Sequence, residues 1–116
     1  MMGKIKKISF KYKGKNFRIN AKNCGSFGEI FGLMFKGREK AEALLFEFGK
    51  PVNMRVHSFF VFFSFVAVWL DGKKVIAARK VKPFTFSIRP KKPFSRLIEI
   101  PINEKYHSHI KFLVGD

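Results

Sequence analysis

The stretch from Phe59 to Leu70, FFVFFSFVAVWL, holds twelve residues of which only Ser64 is polar, and it lies in a 116-residue chain with a formal net charge of +16. Such a run must leave water, and its length limits how. A helix needs about 20 apolar residues to cross a bilayer, whereas runs of about 10–14 belong to buried cores. Phe59, Phe60, Val61, Phe62, Phe63, Phe65, Val66, Val68 and Trp69 are aromatic or β-branched, the types that suit a pleated, half-buried surface. The run is therefore read as buried strand, with no membrane span.

The chain is long enough to enclose such a strand, since a domain of this size buries roughly two thirds of its unfolded surface. One domain over 1–116 is expected. The hydrophobic content of 47%, with 16 Phe, excludes a disordered basic tail despite the net charge. The opening MMGKIKKISFKYKGK is basic but is not followed by the apolar stretch of about 7–15 residues that an export signal carries. Cys24 is the single cysteine, so no internal disulfide can form and a reducing compartment is permitted. The expectation is a cytoplasmic monomer without a cofactor, its protein partners unspecified. The absence of Gln and the 24 Lys and Arg resemble a heat-adapted composition, against which the eight acids are few.

Charge is unevenly distributed. Residues 1–28 carry eight bases and no acid, and residues 72–98 carry nine bases and no acid, whereas 29–71 balance at five and five. In the first block Ile8, Phe10 and Tyr12 alternate with Lys7, Lys11 and Lys13, and after Gly14 the alternation resumes with Phe17, Ile19 and Ala21 against Arg18, Asn20 and Lys22. Period two means strand, and the two segments predict a hairpin with one basic face. In the second block Asp71-Gly72 marks a tight turn, because Gly accepts the positive φ such turns need. A second hairpin follows. Beyond it Phe84, Phe86 and Ile88 alternate with Thr85, Ser87 and Arg89, and RPKKP at 89–93 reads as an exposed cationic loop, its prolines unable to donate ladder hydrogen bonds.

Helix signals are few. Ser26 and Glu29 form a capping box ahead of a short helix over about 26–36, with Phe27, Ile30, Phe31, Met34 and Phe35 mostly on one face and Gly37 at its end. EALLFEF and RLIEIPI read as further strands, and INEKYHSHI as a turn or single helical turn before KFLVGD. Strands outnumber helices, so the expected fold is mainly β: a small antiparallel β-barrel or strongly curved sheet with one or two short helices, since closure covers edges prone to aggregate.

Five motifs in order, GLMFKG at 32–37, LLFEF at 44–48, VWLDGKKVI at 68–76, RLIEIPI at 96–102 and VGD at 114–116, resemble the domain-of-unknown-function 192 family of archaea and bacteria. The resemblance covers about residues 26–116. It implies a compact, β-rich, barrel-like domain and no activity, since the family has no established biochemical function. Many members carry a Pro and, two residues later, an Asp where this chain has Ser64 and Val66, and bacterial relatives often carry export signals.

Catalytic and metal-binding patterns are absent from the sequence. His107 and His109 would share one face of an extended segment, but no carboxylate accompanies them and Cys24 is remote. Cys24 and His57 fall in no nucleophile motif. Gly25, Gly28 and Gly32 fit neither the Rossmann nor the P-loop spacing. The carboxylates are scattered: Glu29 is a cap, and Glu99, between Ile98 and Ile100, is expected to point outward from its strand. The bases are the remaining chemistry. Lys7, Lys11, Lys13, Lys15 and Arg18 in the first block, and Lys73, Lys74, Arg79, Lys80, Lys82, Arg89, Lys91 and Lys92 in the second, predict a non-catalytic module for nucleic acid or another polyanion. No base-stacking motif of the RRM or cold-shock type accompanies them. The alternatives are a small-molecule-binding or enzymatic barrel with a Phe-lined pocket, or a protein-interaction scaffold.

Overall fold

The first period-two block folds as the hairpin its pattern dictates. β1 (Ile5–Tyr12) and β2 (Lys15–Asn23) pair antiparallel from Ile5 opposite Lys22 to Tyr12 opposite Lys15. Lys13 at φ 52° and Gly14 at φ 79° make the reversal, the pair of positive φ angles whose twist matches that of flanking strands. The chain is seen in a computed structural model that describes residues 5–23, 42–53, 64–83 and 88–115. The expected helix over 26–36 with its capping box, Cys24, His57, Phe59–Phe63, Phe84 and Phe86 lie outside these.

The second half of the apolar run is β4 (Phe65–Asp71), which turns at Gly72 into β5 (Lys74–Val81). With β3 (Leu44–Val52) and β6 (Phe94–Pro101) they form an antiparallel sheet in the order β3-β6-β4-β5. The β1–β2 hairpin closes this sheet into a ring through two short parallel seams. One is Lys22 and Asn23 of β2 against Leu44 and Leu45 of β3; the other is Lys11 of β1 against Lys74 of β5. The mainly β, strongly curved sheet is as the sequence predicts, its strands pairing antiparallel except at these two short seams. Three antiparallel pairings leave β3 and β5 pointing opposite ways, so a hairpin whose arms are also opposed must meet both of them in parallel or both antiparallel, and here it meets both in parallel.

Alternate residues of β4 serve two apolar layers. Val66, Val68 and Leu70 line the ring interior with Ile8, Phe10, Ile98 and Ile100, whereas Phe65, Ala67 and Trp69 belong to an outer layer with Leu44, Phe46, Phe94 and Leu97. Both sets are buried, so this strand is covered on both faces, which explains its continuous apolar sequence. Val66, where the resembling family carries an acid, is part of that dry interior.

The C-terminal segment is more helical than its sequence suggests. A 3₁₀ turn, Glu104–Tyr106, runs into α1 (His107–Val114). Tyr106, Ile110 and Leu113 are buried in the ring-interior cluster, and their spacing of four and three keeps them on one helical face. The helix lies beside β2, where Phe112 stacks on Phe17 with centroids 5.8 Å apart and His109 Nε2 lies 3.0 Å from the carbonyl of Arg18. The Tyr106 hydroxyl accepts the Ala43 N–H at 2.8 Å, fixing the approach to β3. Because the segment is helical, His107 and His109 do not share the face an extended chain would give them: His107 is exposed and His109 half-buried.

Candidate polyanion-binding surface

The hairpin pairing sets its outer face. Ser9 lies opposite Arg18, Lys7 opposite Asn20 and Lys11 opposite Asn16, all exposed, while Ile8, Phe10, Phe17 and Ile19 point into the ring. The β1–β5 seam then brings Lys11 beside Lys74, and with it the turn that carries Lys73. Two basic blocks separated by a balanced stretch of sequence thus meet at a groove of about 560 Å³. Its cations are Lys11, Arg18, Lys73 and Lys74, with Ser9 and Asn16 as neutral hydrogen-bonding groups and no acid among the described lining residues.

The turn at the groove is held rigidly. The Gly72 N–H donates to Ser95 Oγ at 3.0 Å, Ser95 Oγ donates to Asp71 Oδ1 at 3.3 Å, and Arg96 Nη1 donates to the Gly72 carbonyl at 3.3 Å. These bonds tie the Lys73–Lys74 turn to the start of β6, which the loop bearing Lys91 and Lys92 enters directly. Both lysines are exposed, as expected of a cationic loop, although Pro90 within it is buried.

The remaining bases divide by position. Lys13 and Lys15 sit at the hairpin tip, their ammonium groups 5.2 Å from the Tyr12 ring and 5.8 Å from the Phe112 ring. Arg79 is engaged elsewhere: its guanidinium lies 5.8 Å from the Trp69 ring and its Nη1 donates to the Arg89 carbonyl at 3.5 Å. Lys80 and Lys82 are exposed at the far end of β5 from the groove, and Arg89 is exposed near Arg79. The structure therefore gathers Lys11, Arg18, Lys73 and Lys74 into one concavity and leaves Arg79, Lys80, Lys82 and Arg89 outside it. Arg18 also lines two neighbouring concavities.

Glu99 points outward from its strand, as expected, and is half-buried there. Its strand partners Leu44 and Ala67 belong to the outer apolar layer, so pointing outward places the carboxyl against apolar groups. Burial pushes its pKa up from 4.5 to about 7, because removal from water penalises the charged form. Among the described residues no ion pair offsets that cost, and no group of three His, Cys, Asp or Glu is disposed to hold a metal ion.

Among the described residues this geometry defines a class: a β fold of six strands closed in a ring, with a short helix beside it and a cationic groove at one seam. No protein-family model matches the chain, and no curated protein matches it in sequence. Two solved structures share the fold. One, called a "putative transcription regulator", is from Sinorhizobium meliloti 1021, with a TM-score of 0.67 and 14% identity over 80% of this chain and 76% of that one. The other, a protein of unknown function from Novosphingobium aromaticivorans DSM 12444, has a TM-score of 0.69 and 13% identity over 90% of this chain and 77% of its own.

Proposed function

We propose that this chain is a non-catalytic module that binds nucleic acid through its phosphate backbone, with little dependence on base sequence. The observation that carries the reading is the meeting of Lys11 with Lys74 across the β1–β5 seam, which joins two acid-free blocks at one groove. Four cations on a shared concavity can follow successive phosphates, and each phosphate neutralised releases counterions. The groove's polar neutral groups, Ser9 and Asn16, suit phosphate and sugar contacts, which position a protein without reading bases. The transcription-regulator name carried by one structural neighbour agrees with this reading. Membership of the domain-of-unknown-function 192 family, which the five ordered motifs support, adds no activity to it.

Equilibrium titration of a short labelled duplex at several salt concentrations tests the reading. Contact with about 5 phosphates gives a log–log salt slope of about −4 to −5. Replacing Lys73 and Lys74 by Ser reduces the slope by up to about 2 while stability stays nearly constant. Absence of binding at ~150 mM salt, or a slope untouched by that double substitution, overturns the proposal.

A further inference from the structure

On the other side of Arg18 from the groove lies a second concavity of about 590 Å³, which Arg18 also lines. Its volume falls within the range of about 300–1,000 Å³ typical of small-ligand sites. Three cations reach it from separate elements: Lys7 from β1, Arg18 from β2 and Lys105 from the 3₁₀ turn. One acid, Glu42, shares the lining, and Lys22 pairs with it at 3.7 Å. The cationic excess therefore remains available to a ligand.

This site sets an exposed aliphatic side chain beside its cations. Ile5 lines it and is 56% exposed, the single large hydrophobic exposed to that degree among the described residues. Ile5 and Lys7 are two apart on one strand and so face the same way, bringing an uncovered butyl group beside a charge. A sugar–phosphate backbone has no use for such a surface, and inorganic phosphate is too small to reach both. We infer that this pocket binds a small organic phosphate monoester, its phosphate held by Lys7, Arg18 and Lys105 and its apolar part laid on Ile5. A phosphate monoester is largely dianionic above pH about 6, which matches three bases better than a monocarboxylate does. His109, also in the lining, lies 3.0 Å through Nε2 from the Arg18 carbonyl, which sets the strand against the start of α1.

The inference stands apart from the nucleic-acid reading, and phenyl phosphate, inorganic phosphate and phenol as NMR titrants separate the two. Phenyl phosphate is expected to bind about tenfold more tightly than inorganic phosphate, the difference being the burial of one apolar group. The largest amide shifts should fall at Ile5, Ile19 and Lys105, and phenol should give none that saturate. Lys105→Ser should weaken phenyl phosphate about tenfold, the loss expected of one charge-assisted contact. Ile5→Ser should bring phenyl phosphate down to the affinity of inorganic phosphate, and Lys73→Ser with Lys74→Ser should leave both unchanged. Equal affinity for the two phosphates, shifts centred on Lys11 and Lys74, or indifference to Lys105→Ser would each overturn it. Loss of duplex binding in the groove variants, with phenyl phosphate binding retained, would leave this pocket intact whatever becomes of the groove.

Discussion

Lys6 Nζ donates to both carboxylate oxygens of Glu47, at 3.1 and 3.0 Å, across 41 positions of sequence. The same carboxylate accepts from Asn23 Nδ2 at 3.0 Å and pairs with Arg96 Nε at 3.5 Å. One acid thus gathers groups from β1, β2, β3 and β6 beside the β2–β3 seam. Multiple partners on a partly buried carboxylate make this pair stronger than an isolated surface ion pair.

Glu47→Ala is expected to destabilise the protein by about 1–2 kcal/mol, leaving Lys6, Asn23 and Arg96 without their shared acceptor. A double-mutant cycle with Lys6→Ala, followed by denaturant unfolding, should return a coupling of about 0.5–1 kcal/mol that shrinks at high salt. A coupling of zero would mean that the geometry carries no energy.

Glu99 should make stability fall with rising pH. Its folded pKa of about 7 exceeds the usual 4.5, so between those values the folded state binds more protons than the unfolded one. The contribution is fully present below about 4.5, is lost as pH rises toward 7 and is constant above. Glu99→Gln should therefore stabilise the protein at pH 8 relative to wild type, by no more than about 3 kcal/mol, and change little at pH 4. Unfolding midpoints of the two proteins across that range check both sign and window.

Phe17 is 4% exposed, with Phe10 at 4.6 Å and Phe112 at 5.8 Å between ring centroids. Phe17→Ala should cost about 3–5 kcal/mol through lost burial and the cavity left between hairpin and helix. Phe17→Leu should recover more than half of this, as read from thermal or denaturant melts.

Gly72 has φ 62° and open space where a Cβ would project, so Gly72→Ala is penalised by backbone conformation alone. The cost should be about 1 kcal/mol. The same substitution should weaken duplex binding more than it weakens folding, because this turn aims Lys73 and Lys74, and anisotropy titration beside a melting curve separates the two effects.

Much of this architecture was legible where the cause was local. Alternation from Ile8 to Ala21, and the turns at Gly14 and Asp71-Gly72, announce the two hairpins because strand periodicity and positive φ leave marks on adjacent residues. The Lys11–Lys74 meeting leaves no such mark. It follows from ring closure through a single pairing between residues 63 positions apart, so the basic blocks were visible but not the way they divide around the groove. The outward direction of Glu99 follows from its place between Ile98 and Ile100, whereas the cover over that face comes from residues distant in sequence, Leu44 and Ala67 among them. Ile5 and Lys105 read in sequence as ordinary surface residues, and only the period-two register that sets Ile5 with Lys7 bears on the pocket they line. The helix over 107–114 was hidden by a polar start, HSH, whose neighbours Tyr106, Ile110 and Leu113 carry the helical spacing.

The ring is two antiparallel blocks joined by two slender parallel seams, and cooperativity should follow that division. Parallel pairings are slightly weaker per residue than antiparallel ones, and among the described residues they involve three residue pairs. Apart from its contribution to the core, the hairpin is retained by side chains: Lys6 and Asn23 on Glu47, Phe17 against Phe112, and the Arg18 carbonyl on His109. Such a unit can unlatch at less free energy than global unfolding requires. Amide protons of β4 and β6 would then exchange with solvent only when the whole protein opens, and those of β1 and β2 sooner and together. The cationic groove spans one of these latches, so a bound polyanion touching Lys11 and Lys74 would slow hydrogen exchange along the hairpin far beyond the residues it covers.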